Sequence, residues 1–157
     1  MKEKRLQVFI DGVNKYFTQI NKYEIEVGTP YLVENTNPPA CDITGVIGIT
    51  GPIQGCVYFT APQHLLKHLL VTIGEPDQSL DNMMDLVGEV ANTISGNARS
   101  EYGPEFNISV PFIIKGVPDE IHLPHDARSF VIPIDWKEHT ANIVICLRKG
   151  GMPSSKS

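Results

Sequence analysis

Apolar residues recur every three or four positions through the first 20 residues, from Leu6 to Ile20. This spacing places the side chains on one face of a helix, so the pattern predicts an amphipathic helix at the start of the chain. Residues 24–33 read as a short extended segment, which ends in the loop-like sequence ENTNPPA.

A β-hairpin is predicted next, from the sequence ITGVIGITGPIQGCVYFT. Its two β-rich runs are separated by Gly51 and Pro52, which are typical turn residues. Glycines 45, 48, 51 and 55 have the spacing GxxGxxGxxxG, which differs from the GxGxxG of dinucleotide-binding loops, and a strand follows instead of a helix. The pattern therefore argues against a phosphate-binding loop.

A second helix is predicted for residues 62–73. Thr60 is the expected N-terminal cap, Pro62 fits the first turn, and Gly74 ends the helix. A third and longer helix is expected from about Ser79 to Tyr102, where Gly103 and Pro104 stop it.

Three further strands are predicted from FNISVPFIIKG, SFVIPIDW and ANIVICLR. Helices grouped between runs of neighbouring strands favour an α+β fold with a mainly antiparallel sheet packed against three helices. No domain boundary interrupts the pattern, so we expect a single domain over residues 1–149 and a flexible tail over residues 150–157.

The composition narrows the function classes. The chain has 157 residues, a net charge of −5 and a pI near 5.5, which argues against nucleic acid and anionic membranes as partners. Its three cysteines form no CxxC pair, as expected for thiols in a reducing compartment. Because neither a signal peptide nor a membrane span is evident in the sequence, we expect a cytoplasmic protein.

The long helix has two distinct faces on a helical wheel. The apolar face is expected to pack into the core and comprises Leu80, Met83, Met84, Val87, Val90, Ala91, Ile94 and Ala98. The opposite stripe comprises Asp81, Asp85, Glu89, Asn92, Gly96 and Arg99, with Gly88 close beside it.

Gly88 and Gly96 are the unusual members of the polar side. Glycine inside a helix costs about 1 kcal/mol relative to alanine, and alanine or lysine would be equally soluble there. A solvated face explains the charged residues of the stripe but explains the glycines poorly. A bare helix surface beside Glu89 and Asn92 indicates close approach by a partner, so a protein-docking surface is the alternative interpretation.

The pattern D-x3-E-x2-N-x3-G, as Asp85, Glu89, Asn92 and Gly96, resembles the active helix of the CheC/CheX/FliY family of chemotaxis phosphatases. VIGITGPIQGCVYF before the helices and FNISVPFIIKG after them resemble the flanking strands of that family. The resemblance extends over nearly the whole chain, and the single copy of the motif is most similar to the CheX branch.

The resemblance implies a phosphatase that removes the phosphoryl group from the aspartyl-phosphate of a CheY-like response regulator. Asn92 would orient the attacking water and Glu89 would pair with a lysine of the regulator. The docking residues would be Asp85, Gly88, Gly96 and Arg99. The family implies no cofactor of its own, Mg²⁺ on the phosphorylated partner, and a homodimer formed through the sheet. The alternative is a non-catalytic adaptor of the same fold that binds a regulator or a motor component.

Two other groups are candidates for chemistry. Asp11 and Asn14 repeat the acid–amide spacing on the first helix, either as a relic of a second site or as part of a solvated face. His64 and His68 have the i, i+4 spacing of a zinc pair, but HExxH is absent and the sequence places no third ligand. Trp136 is expected in the core.

Overall fold

The computed structural model describes residues 3–20, 25–34, 39–117 and 128–149. Helices and strands follow one another as α1 (Glu3–Ile20), β1 (Glu26–Val27), β2 (Tyr31–Glu34), β3 (Ile43–Thr50), β4 (Ile53–Ala61), α2 (Gln63–Thr72), α3 (Leu80–Tyr102), β5 (Asn107–Ile108), β6 (Phe112–Lys115), β7 (Arg128–Trp136) and β8 (His139–Lys149). The predicted α+β fold, with three helices and a mainly antiparallel sheet, is confirmed.

Within the described ranges the sheet has eight strands, and every pairing among them is antiparallel. Its order is β1-β7-β8-β4-β3-β5, while β2 also pairs with β7 and β6 also pairs with β3. The predicted β3–β4 hairpin is confirmed. Its turn holds Gly51 at a φ of 119°, and a side chain there would overlap the backbone carbonyl of Glu105.

The helices pack on one face of the sheet. Alternate residues of each central strand point to that face and are apolar. Ile47 of β3, Val57 of β4 and Ile143 of β8 join side chains from all three helices in one buried cluster. The opposite face carries a smaller cluster around Tyr58, whose hydroxyl donates a hydrogen bond of 2.8 Å to the carbonyl of Pro39. The helical layer therefore lies over the β3–β4–β8 centre of the sheet.

The start of α2 differs from the prediction. Thr60 does not cap the helix: it is buried in β4, and its Oγ1 lies 2.8 Å from Oγ1 of Thr44. Pro62 occupies the N-cap position without a side-chain cap. Asp42, which is distant in sequence, instead accepts a hydrogen bond of 3.0 Å from the Gln63 amide through Oδ2. Local sequence could not reveal this tertiary cap.

The segment FNISVPFIIKG is not one strand, as predicted, but two short ones. β5 and β6 both pair with β3, and residues 109–111 interrupt the ladder between them. Pro111 cannot donate a backbone hydrogen bond to a ladder, which favours a break at this point. The predicted tail, residues 150–157, lies outside the described residues.

No helix within the described ranges is long and apolar enough to cross a membrane.

Candidate functional site

Helix α3 carries the predicted site and has the predicted bounds. Ser79 caps its first turn by accepting a hydrogen bond of 3.3 Å from the Asn82 amide. At the other end Gly103 has a φ of 104°, and its amide bonds to the Arg99 carbonyl at 2.9 Å. Nearby residues thus provide hydrogen-bond partners for backbone groups at both ends of the helix, which fixes where it begins and ends.

A glycine in the sheet lets α3 pack closely on it. A methyl group placed on Gly45 of β3 would lie 2.8 Å from Cγ1 of Val87 and 3.1 Å from the Val87 carbonyl oxygen. Ordinary carbon–carbon contacts are about 3.5–4.0 Å, so only glycine permits this approach without a shift. Gly45 therefore sets the height of α3 above the sheet.

The predicted core face of α3 is confirmed, with additions. The buried members of the predicted set are Met83, Val87, Val90, Ala91, Ile94 and Ala98, whereas Leu80 and Met84 are half-buried. Leu86 and Ser95 are also buried, although the helical wheel did not place them on that face. The core arc is wider than predicted because other elements cover both flanks of the helix.

The polar stripe faces outward as predicted. Asp81, Asp85, Glu89, Asn92 and Arg99 are exposed. Gly96 is half-buried, but a methyl group added to it would meet nothing within 4 Å. The stripe therefore leaves an accessible surface one turn beyond Asn92.

Three residues of the stripe line an open groove of about 470 Å³. Its lining comprises Met84, Asp85, Gly88, Glu89, Asn92, Pro111 and Ile113. One wall is thus the acidic and amide side of α3, and the other is an apolar segment at the edge of the sheet. The carboxylates of Asp85 and Glu89 are one turn apart, an arrangement that costs a few tenths of a kcal/mol in an isolated helix and favours a basic group opposite.

Gly88 is placed differently from the expectation. It is buried, and a methyl group on it would lie 3.2 Å from Cδ1 of Ile113 and 3.6 Å from Cβ of Pro111. The idea that this glycine leaves bare helix surface is therefore wrong in the free chain, because β6 and the residue before it cover it. Its contact with a partner stays a prediction, as do those of Asp85, Gly96 and Arg99.

The apolar wall was missed by the sequence reasoning. Pro111 and Ile113 lie about 20 residues from the motif in sequence, and the β3–β6 pairing brings them to α3. Within that pairing Gly45 is opposite Ile113, so the same glycine that admits Val87 also places Ile113 beside the helix. The only sequence signal was an apolar run containing a proline, which indicates a strand and not a site.

Tyr16 of α1 was also missed as a neighbour of the site. It is buried and stacks edge-on against Phe17, with ring centroids 5.1 Å apart. Burial first, and then the negative charge of Glu89, raise the pKa of the Tyr16 hydroxyl far above its usual value. The helix periodicity placed Tyr16 in the core, and nothing in the sequence paired it with Glu89.

His64 and His68 gain no third metal ligand among the described residues. No three His, Cys, Asp or Glu side chains come together to hold a metal ion in the part of the chain that the structure describes. His64 stacks on His139 at 5.1 Å, and His68 stacks on Trp136 at 4.2 Å, so the two histidines face different aromatic rings. Trp136 is half-buried against the edge of the core instead of inside it.

Asp11 and Asn14 are both exposed on α1. Asp11 accepts a hydrogen bond of 2.8 Å from the Gln7 side chain one turn earlier, which fits a solvated helix face. A second site at this position stays a prediction without structural support.

The described residues that line the groove offer two carboxylates and one carboxamide as polar side chains. Among the described residues that line it there is no serine, cysteine, histidine or lysine. A carboxylate can pair with a cation, and a carboxamide can both donate and accept hydrogen bonds. The groove therefore offers groups for docking and orientation.

Comparison with protein-family models gives a match to "Chemotaxis phosphatase CheX" over residues 43–135. This span runs from the start of β3 to the end of β7 and includes the whole of α3. No curated protein matches the chain.

Solved structures share the fold over almost the whole chain. A CheC-like superfamily protein from Shewanella sp. PV-4 is 27% identical with a TM-score of 0.80, and the alignment covers 94% of this chain and 99% of that one. A chemotaxis protein CheX from Desulfovibrio desulfuricans is 26% identical with a TM-score of 0.76, at 92% and 99% coverage. The CheX–CheY–BeF3–Mg²⁺ complex from Borrelia burgdorferi matches at 18% identity and a TM-score of 0.73, at 92% and 98% coverage, which shows the fold alone.

Proposed function

The chain belongs to the chemotaxis phosphatase CheX family, and from that premise we propose that it hydrolyses the aspartyl-phosphate of a CheY-like response regulator. The observation that supports this most directly is the pairing of Glu89 and Asn92 on an exposed helix ridge. Such a pair suits a substrate that is itself a folded protein and brings its own reactive centre.

The reaction needs little from the phosphatase. Water attacks the phosphoryl phosphorus, a new P–O bond forms, and the bond to the aspartate oxygen breaks, which releases inorganic phosphate and the free carboxylate. The leaving group is an acyl oxygen, and Mg²⁺ on the regulator neutralises charge on the phosphoryl oxygens. The missing contribution is a water molecule held in line with the breaking bond.

Asn92 is the residue to hold that water. Its carboxamide oxygen accepts a hydrogen bond from the water, and its NH₂ group donates to a phosphoryl oxygen. The side chain carries no charge, so it does not repel the phosphoryl group as a carboxylate would. Positioning by such a group contributes about 10²–10⁴ in rate, or roughly 3–5 kcal/mol.

Glu89 is the residue to fix the docking register. It lies one turn before Asn92 on the same exposed stripe, and its carboxylate is free to pair with a lysine beside the phosphoryl group of the regulator. Asp85 extends the negative charge on one side, and Gly96 leaves open helix surface on the other. Arg99 lies at the far end of this docking surface of α3, and Gly88 lies at the base of the groove.

The partner proposed here has the chemistry of the CheY protein in the CheX–CheY–BeF3–Mg²⁺ complex from Borrelia burgdorferi. On this proposal Mg²⁺ is bound by the regulator, and the phosphatase needs no cofactor of its own. We further propose a homodimer formed through the sheet and a cytoplasmic location, where response regulators work.

The test is phosphate release from a purified CheY-like receiver domain charged with acetyl phosphate in the presence of Mg²⁺. The chain should accelerate phosphate loss, and Glu89→Gln should lower the apparent affinity for the charged receiver. Failure to accelerate phosphate loss from any receiver of the same organism would refute the enzymatic proposal. Binding to a receiver without acceleration would establish the adaptor alternative.

A further inference from the structure

Val110 is the most exposed large hydrophobic residue within the described chain, with 84% of its surface accessible. It lies between β5 and β6, in the segment Ser109–Pro111 that we call the shelf. Single exposed apolar residues are common on protein surfaces and do not by themselves indicate a binding site. The shelf is unusual for two further reasons: it is anchored, and it adjoins the groove.

Two hydrogen bonds hold the shelf against β3, and a third fixes its own backbone. The Ser109 amide donates to the Gly48 carbonyl at 2.9 Å, and the Gly48 amide donates back to Oγ of Ser109 at 2.9 Å. The same hydroxyl donates to the Val110 carbonyl at 3.0 Å. Val110 is thus presented outward from a fixed backbone, which lowers the entropy that its burial by a partner would cost.

Pro111 connects the shelf to the site. Its ring lies against Gly88, with Cβ and Cγ at 3.6 and 3.7 Å from a methyl group placed there, and it lines the groove opposite Glu89 and Asn92. A folded partner that contacts Asn92 therefore meets Val110 one residue away from Pro111 of the groove wall. The two walls of the groove differ in charge and therefore favour different partner groups. Residues 106–114 carry no charged side chain, whereas the stripe presents the carboxylates of Asp85 and Glu89.

Strand addition by a second copy of the chain does not explain the exposure of Val110. The sheet edge is broken at the shelf, since β5 and β6 pair with β3 only on either side of it. The Ser109 amide points inward to Gly48, and Pro111 has no amide proton to donate to an added strand. An added strand needs a continuous row of free backbone groups, which this stretch does not offer.

We propose that Val110 is a specificity-determining contact for the receiver domain, which packs an uncharged apolar side chain beside its phosphorylated aspartate against the shelf. This inference rests on the proposed function and adds a requirement on the partner surface: a basic group toward α3 and an apolar group toward β6. Receivers with a charged side chain at the shelf position are poor substrates.

The experiment compares Val110→Asp with the matched control Val71→Asp. Val71 is 57% exposed on α2, outside the groove, so both changes place a carboxylate on exposed surface. Each variant is tested for phosphate release from the acetyl-phosphate-charged receiver, for binding to the beryllofluoride-activated receiver with Mg²⁺, and for oligomeric state by sedimentation. Circular dichroism confirms that both variants are folded.

Val110→Asp should raise KM and the binding Kd by roughly tenfold and leave kcat within about twofold, because it desolvates a charge against an apolar surface without touching the reacting atoms. Val71→Asp should match the wild type. Unchanged KM and Kd in Val110→Asp would overturn the inference, as would a changed oligomeric state at unchanged affinity, which would assign Val110 to a contact between copies. If the wild type binds the activated receiver without dephosphorylating it, the proposed activity is wrong. The Kd values alone then show whether Val110 contacts the receiver.

Discussion

Replacing Gly45 with alanine tests whether close packing of α3 on the sheet holds the site in place. The added methyl group would lie 2.8 Å from Cγ1 of Val87, against about 3.5 Å for an ordinary contact, so one of the two must move by about 0.7 Å. Val87 is fully buried and β-branched, which leaves it no free rotamer. The Val87 carbonyl oxygen at 3.1 Å is a second obstacle, and it belongs to the helix backbone.

The free energy of unfolding should fall by about 1–2 kcal/mol. Overpacking in a core costs about 1–3 kcal/mol, and the lower backbone entropy of alanine in the unfolded chain offsets some of this. For a domain of this length each kcal/mol corresponds to about 2–4 °C, so Tm should fall by roughly 2–8 °C. Because α3 is displaced, phosphatase activity should fall as well.

Urea and thermal unfolding followed by circular dichroism measure the stability change, with the m-value as a check that the same surface is exposed. A Gly45→Ala variant as stable as the wild type would show that α3 does not approach β3 as closely as described. The height of the Glu89–Asn92 ridge would then need another explanation.

Three other changes have defined outcomes. Gly96→Ala adds a methyl group in open space within a helix, so it should raise the free energy of unfolding by about 1 kcal/mol and Tm by about 2–4 °C. The same change should lower turnover of the charged receiver. A stabilised variant with full activity would show that no partner approaches Gly96. Ser79→Ala removes the cap bond to Asn82 and should cost about 1 kcal/mol in urea unfolding, whereas Ser79→Asp should retain the stability. Burial and then the neighbouring Cys146 raise the pKa of Cys56 to about 12. The folded state therefore holds this proton more tightly than the unfolded state, whose thiol pKa is near 9, so the resulting stability is present below pH 9 and lost as pH rises from 9 to 12. The difference in unfolding free energy between wild type and Cys56→Ala should shrink over that range. A difference independent of pH would contradict the burial of this thiol.

The sequence predicted the long helix well because its signals are local. Ser79 and Gly103 are standard cap residues, and the apolar spacing between them fixes which face enters the core. The acid–amide stripe follows from that face by geometry alone, so Glu89 and Asn92 are exposed as expected.

Features that depend on contacts distant in sequence could not be predicted. Thr60 has the composition of a cap, but a buried bond with Thr44 holds it in β4, and Asp42 provides the cap from 21 residues away. The burial of Gly88 depends on Pro111, which reaches the helix only because β6 pairs with β3. A helical wheel treats a helix as having one inner face, whereas the neighbouring strand covers a second flank of α3.

The same limit applies to the glycines of the polar side. Both cost helix stability, yet Gly88 accommodates Pro111 and Ile113 of the same chain, while a methyl group on Gly96 would meet nothing within 4 Å. The two glycines on this side of the helix therefore have different physical reasons, and only the structure separates them.

Whether Asn92 orients the attacking water is decided by the phosphate-release rate of Asn92→Ala at saturating charged receiver with Mg²⁺. We expect the rate to fall by about 10²-fold or more, toward the receiver's own rate, while the Kd for the beryllofluoride-activated receiver changes only slightly because Glu89 still docks. Asn97→Ala, which removes a carboxamide on the α1 side of the same helix, should retain the wild-type rate. An Asn92→Ala variant that still accelerates phosphate loss like the wild type would contradict the account.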